Sequence, residues 1–210
     1  GILGPPALPT LLACLPEGQR TVQSFAWQVH DNSVDSWGEP SFPDQMIAQW
    51  LGKDIRQLAV EEFAYWGGLV HGEGLREYCE NFRRRMYDTA SAIFWMYNDT
   101  WPASRSWTIV DYYLRRTPAF YQVRRAMRPV HVVLAEQDGR VDVFGINETQ
   151  DLLSATVEYG VFTLAGAYPL RVRDAVRLPA NSSTRIASFA AADWQDPVRT
   201  MAYAVLDAEG

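Results

Sequence analysis

The sequence is poor in the features that would place it at once in several functional classes. Cysteine is nearly absent: Cys14 and Cys79 are the only two in 210 residues. Two thiols that far apart make neither a disulfide framework nor a thiolate metal motif. Cys79 falls in a helical apolar stripe and reads as a small buried hydrophobe. Basic charge is scarce as well. With 19 Lys and Arg against 25 Asp and Glu, the net charge is −6 and the pI about 5.1. That balance, with no basic cluster, argues against nucleic acid or an anionic membrane as a partner. No apolar run approaches the length of a membrane span. Internal repeats and low-complexity tracts are missing too. The chain starts at Gly1 rather than Met, with no signal-like stretch ahead of it, so a processed start or a truncation is expected.

What the sequence has in quantity is aromatic surface: 8 Trp and 10 Tyr. Such rings fill cores, and their flat apolar faces with polar edges also stack on sugars. The remaining composition, 48% hydrophobic and 21% charged, is that of an ordinary globular protein of one or two domains.

Along the chain the periodicity changes once. Residues 1–42 are punctuated by Gly4-Pro5-Pro6, Pro9, Pro16-Glu17-Gly18 and Gly38-Glu39-Pro40, with room for a short helix over 7–15. Phe42-Pro43-Asp44 opens a helical region. Asp54 and Gln57 have the spacing of a capping box, predicting a helix that carries Ile55, Leu58, Ala59 and Phe63. Gly67-Gly68 should weaken it. Leu75, Tyr78, Cys79, Phe82 and Met86 form an amphipathic stripe ending in Arg83-Arg84-Arg85, where cations suit the helix dipole. The apolar run 90–97 predicts a strand buried on both faces. Thr117-Pro118 starts a last helix to about Met127, which stops before Pro129. Beyond it the spacing turns to two. Strands are expected over 130–134 and 141–144 around Gln137-Asp138-Gly139. Others are expected where Leu153, Ala155, Val157 and Tyr159 alternate, and where Met201, Tyr203 and Val205 do. The fold class is therefore α/β followed by all-β, divided as 1–128 and 129–210, the latter a small sandwich, whole or truncated.

Three segments carry a family resemblance. They are Ile93-Phe94-Trp95-Met96-Tyr97-Asn98-Asp99-Thr100-Trp101-Pro102, then Ser106-Trp107-Thr108-Ile109-Val110-Asp111-Tyr112-Tyr113, then Pro118-Ala119-Phe120-Tyr121. In this order they resemble the last barrel strand and last helix of β-mannosidase-type family 2 glycoside hydrolases. Leu69-Val70-His71-Gly72-Glu73-Gly74-Leu75 is similar to the preceding helix, where the family usually has Gln in place of His71. The likeness covers most of the chain, strongly over 69–130. It implies the C-terminal portion of a (β/α)8 TIM barrel followed by an immunoglobulin-like sandwich.

The family is a retaining glycosidase. Its two glutamates stand about 5 Å apart, one attacking the anomeric carbon and one protonating the leaving oxygen. The Asn-Glu and Ser-Glu-Phe/Tyr-Gly motifs that carry them are not in this sequence, so no catalytic residue is assigned. Glu61, Glu62 and Glu73 match neither motif. Gly1-Ile2-Leu3-Gly4-Pro5-Pro6 resembles the stretch that the family has just after its nucleophile, which predicts a glutamate two residues before Gly1. The part of the site that the resemblance leaves in this chain is its wall: substrate-binding Trp95, Asn98, Asp99 and Trp101, at the C-terminal end of a barrel strand where such sites lie. Three of them have a structural alternative. Trp95 also suits barrel filler, Asp99 a loop cap, and Trp101 and Trp107 loop packing. His30 either reaches the site or is structural. The implied partners are a carbohydrate substrate, a terminal β-mannoside or related β-glycoside such as that of an exo-β-glucosaminidase, and the rest of the barrel. No cofactor or metal is implied. The competing reading is a non-catalytic carbohydrate-binding or scaffold protein of the same descent. The sequons at Asn98, Asn147 and Asn181 decide nothing.

Overall fold

The computed structural model describes residues 2–32, 42–196 and 198–208, with the backbone alone at Phe42. Gly38-Glu39-Pro40 and Gly1 lie outside the described residues. The chain divides into two compact units. One comprises Gly1–Tyr78 and Ile93–Ala126, the other Cys79–Ala92 and Met127–Gly210.

The first unit is helical and irregular. Its helices are α1 (Leu8–Cys14), α2 (Phe25–Val29), α3 (Phe42–Leu51), most of α4 (Val60–Arg83) and α5 (Pro118–Ala126). Pro9 sits in the first turn of α1, where a missing N–H costs nothing. Ser24 Oγ caps α2 by accepting from Trp27 N at 3.2 Å. Leu11, Leu15, Trp27, Ile47 and Phe63 make one apolar core, with Trp27 edge-on to Phe63 at 5.0 Å. Leu75, Ile109, Val110, Ala119 and Val123 make a second.

One expectation about α4 needs correction, and its glycines have a packing role that the sequence did not show. Asp54 does not cap it. Its carboxylate takes the Arg56 backbone N–H at 2.9 Å and the Arg56 guanidinium at 2.6 Å, which closes a 3-10 turn over Ile55–Gln57. The helix begins instead at Val60, where Glu62 of the first turn reaches back to the Ala59 N–H at 3.2 Å. The helix runs on through its glycines. A Cβ on Gly68 would stand 2.7 Å from Pro118, and one on Gly72 would stand 3.0 Å from the Ala119 backbone. These glycines let α5 lie against α4 at backbone distance, and that close approach outweighs their cost to the helix.

The second unit holds two antiparallel three-stranded sheets. One has the order β1 (Val130–Gln137), β2 (Arg140–Asn147), β5 (Ser182–Ala190). The other has the order β4 (Leu170–Leu178), β3 (Leu153–Thr163), β6 (Thr200–Ala208). Their inward faces meet in one core of Val141, Val143, Val157, Tyr159, Val161 and Phe189. Gln137 pairs with Arg140 across Asp138 and Gly139, both at positive φ (51° and 73°). That is the two-residue turn whose twist matches the strands. The phase of β6 differs from the one expected. Leu206, Ala204 and Ala202 lie opposite the inward Val157, Tyr159 and Val161, and cross-strand partners share a face. Met201 and Val205 are therefore exposed, and Tyr203 bonds Glu158 outside. Asn147 is fully buried. Its amide donates to the carbonyls of Asp151, Leu178 and Pro179, and its oxygen accepts from Thr149. That sequon is a clasp between strands.

The strand expected over 90–97 is not laddered. A strand buried on both faces needs neighbours to pair with, and the described residues supply none. The chain bends at Trp95 and Tyr97, and Ile93, Trp95 and Tyr97 are 78%, 65% and 59% exposed, alternating with half-buried Phe94 and Met96.

Candidate functional site

The candidate site grows from that segment. Phe94 packs on Leu75, Ile109, Val110, Ala119 and Val123. Ile93, Trp95 and Tyr97, at the alternate positions, are exposed. The backbone is pinned beside them. Met96 N donates to Trp107 O at 3.1 Å, Ile109 and Val110 N both donate to Tyr97 O, and Asp99 N donates to Val110 O. These bonds fix the exposed apolar residues beside Trp107–Val110.

The expected substrate-binding residues separate at this point. Trp95 and Asn98 are exposed. Trp101 is half-buried and stacks on His30, with ring centroids 5.2 Å apart and planes at 18°. His30 is oriented by the Pro102 carbonyl, 2.6 Å from Nδ1. A carbonyl only accepts, so Nδ1 carries the proton. Asp99 is buried. One oxygen accepts from Ser106 Oγ at 2.7 Å and the other from Thr108 Oγ1 at 2.6 Å. Burial pushes its carboxyl above the ordinary range, against the pull of these two hydroxyls. Its geometry is that of a loop clasp.

Two polar constellations beneath the wall escape sequence reasoning. Arg105, almost fully buried, pairs with Asp31 at 2.8 Å and with Asp44. It thereby ties the wall loop to the chain after α2 and to α3. Asp111 accepts from Thr10 Oγ1 at 2.6 Å, and its other oxygen accepts from Tyr113 N and Arg115 N. Those bonds hold a turn in which Leu114 adopts a φ of 61°, uncommon for such a side chain. The sequence signal is weak in both cases, since the partners of Arg105 lie 74 and 61 residues away. His71 is the third buried polar group. It is fully enclosed, with neither ring nitrogen hydrogen-bonded, and burial lowers its pKa to about 4. Gly4 lies directly on its ring.

Among the described residues no three His, Cys, Asp or Glu side chains are grouped to hold a metal, and no helix is long and apolar enough to cross a membrane.

Comparison with known proteins gives these features a context. Residues 139–210 match the family described as the Mannosidase Ig/CBM-like domain. β-Mannosidase B of Thermothelomyces thermophilus is 33% identical over 135 residues, covering 60% of this chain and 15% of that protein. β-Mannosidase B of Aspergillus flavus is 36% identical over 93 residues, covering 42% and 11%. Among solved structures, the β-D-mannosidase of Dictyoglomus thermophilum superposes with a TM-score of 0.84 and 26% identity, covering 98% of this chain and 24% of that one. The exo-chitosanase of Amycolatopsis orientalis, at 20% identity and a TM-score of 0.66, shares the fold. The matched region spans less than a quarter of the length of each of these relatives.

Proposed function

We propose that this chain, similar to a β-mannosidase-type fragment of family 2 glycoside hydrolases, forms the closing part of a retaining exo-β-glycosidase acting on terminal β-mannosides. In this reading residues up to about 128 are the end of the catalytic (β/α)8 barrel, and 129–210 are the immunoglobulin-like sandwich. The glutamate nucleophile and the glutamate acid/base lie in sequence outside this chain. The observation that carries the reading is the two-sidedness of 93–97. Phe94 packs on a cluster that includes Leu75 of α4 and Ala119 and Val123 of α5, and Ile93, Trp95 and Tyr97 are exposed. Barrel strands have this arrangement, with one face on the helical layer and the other toward the barrel interior.

The roles of the wall residues rest on their exposure. Trp95 offers an indole face on which the terminal sugar ring packs, leaving the ring's hydroxyls to hydrogen-bond elsewhere. Asn98 offers an amide at the same end of the segment. Trp101, steadied by His30, borders it. Asp99 acts through the loop, because its oxygens are spent on Ser106 and Thr108. The Arg105 and Asp111 constellations hold the wall in place.

Activity measurements on two chains test this. The 210-residue chain should hydrolyse no aryl β-mannoside, because the lost carboxylates account for most of an acceleration of ~10⁶-fold or more. A longer natural chain that contains both glutamates should turn the substrate over. In it Trp95→Ala should lower kcat/KM by roughly 10- to 1,000-fold, about 1.4 to 4 kcal/mol of transition-state binding. Turnover by the purified short chain, or an unchanged kcat/KM in a folded Trp95→Ala enzyme, would reject the reading.

A further inference from the structure

The second unit contains a cleft of about 370 Å³ lined by residues of the α4 end, the 86–92 segment, Met127, Glu148 and Asn181. We infer that this cleft is a binding site for a neutral sugar of one or two rings, separate from the wall around Trp95 and independent of any catalytic role.

Four features point to that ligand class. Tyr87 on the cleft is 69% exposed, yet its hydroxyl donates to the Asn181 carbonyl at 2.8 Å. An exposed ring tethered at its far end offers a preformed apolar platform with little rotamer entropy left to lose, which suits a sugar's C–H face. Polar groups beside it are uncommitted. Glu148 spends Oε1 on Arg83 at 2.9 Å. Its Oε2, the Ser91 hydroxyl and the Asn181 side-chain amide have no protein hydrogen-bond partner among the described residues. Together they can accept from and donate to adjacent hydroxyls. The charge on the floor is already balanced. Arg83 is 7% exposed and bonds both Glu148 and the Arg128 carbonyl, so neither an anion nor a cation finds an unpaired counter-charge. Finally, the volume lies at the small end of ligand pockets, about 300–1,000 Å³. Met86 and Met127 supply adaptable apolar sides.

Titration of the ¹⁵N-labelled 210-residue chain with methyl β-mannoside, mannobiose and N-acetylglucosamine, followed by amide shifts, tests the inference. Saturable shifts are expected at Tyr87, Ser91, Met127, Glu148 and Asn181, with a dissociation constant in the millimolar range for at least one sugar. Tyr87→Ala should weaken that binding roughly tenfold. The ring is outside the core, so the fold should survive, and Ser91→Ala gives a second, milder variant. Shifts confined to Trp95, Asn98 and Trp101 would overturn this inference while supporting the catalytic reading of the wall. No saturable shift with any of the three sugars, or affinity unchanged in Tyr87→Ala, would also overturn it and leave the catalytic reading untouched.

Discussion

Each of the two units is stabilised internally by different means. The first buries polar and charged groups beside its two apolar cores. Arg105 with Asp31 and Asp44, Asp111 with Thr10, Asp99 with Ser106 and Thr108, and the unpaired His71 are all buried or nearly so. Its chain between α4 and α5 forms no ladder. The second is built on regular antiparallel pairing around an apolar core, and its strand-to-strand charges lie largely in solvent, as with Arg171 and Glu158. A regular ladder satisfies the backbone wherever side chains alternate, so individual surface residues matter little. Irregular chain must find each backbone and charge partner separately, so single residues there carry large and non-additive weights. Irregularity of this kind is also what leaves Trp95 and Asn98 exposed on unladdered chain.

The largest expected break in that comparison comes from Arg105. Arg105→Met strands two carboxylates without their cation and should destabilise the first unit by about 3–5 kcal/mol. Hydrogen exchange should show amides of α1, α2 and the wall loop opening while β2 and β3 keep their protection. Loss of protection in both units together would mean they unfold as one.

Acid offers a second way to separate them. Burial holds the His71 pKa near 4, below the ordinary value of 6.5. A depressed folded value means the stability from keeping this ring neutral is present above pH 6.5. It is then lost as pH falls through the folded pKa. The loss should reach about 3 kcal/mol between pH 7 and 4. His71→Gln should flatten the dependence over that window, as read from urea midpoints. An unchanged pH profile in His71→Gln would show that the ring is not enclosed.

The smallest effect sharpens the contrast from the other side. Arg171→Ala removes a bidentate pair with half-buried Glu158, but the arginine itself is well exposed and Tyr203 still bonds the glutamate, so the thermal midpoint should stay within experimental error. A clear drop would mean that surface pairs support the sandwich as buried ones support the first unit.

Legibility in the sequence divides along the same line. Thr117-Pro118 announces α5, and Asp138-Gly139 the β1–β2 turn. Alternation from Leu153 to Tyr159 announces β3. In each case partners are close in sequence and the signal is a local dihedral or period. Asp54 shows where such signals fail: its spacing to Gln57 suits a capping box, but Arg56, two residues on, takes its carboxylate. The site residues come from a resemblance, and the sequence could not separate exposed Trp95 from clasped Asp99.

The sequence by itself determined the switch in period near Pro129, the caps and turns of the short elements, and the likeness to β-mannosidases, since each rests on residues a few positions apart. Only the tertiary structure decided three other matters. It set which face of β6 is buried, because register with β3 chooses between two alternations that look alike in one strand. It showed that the glycines of α4 serve close packing, because their neighbours Pro118 and Ala119 are distant in sequence. And it assembled the Arg105–Asp31–Asp44 cluster, because a buried charge is settled by whatever counter-charges folding brings to it, and no local spacing encodes which those will be.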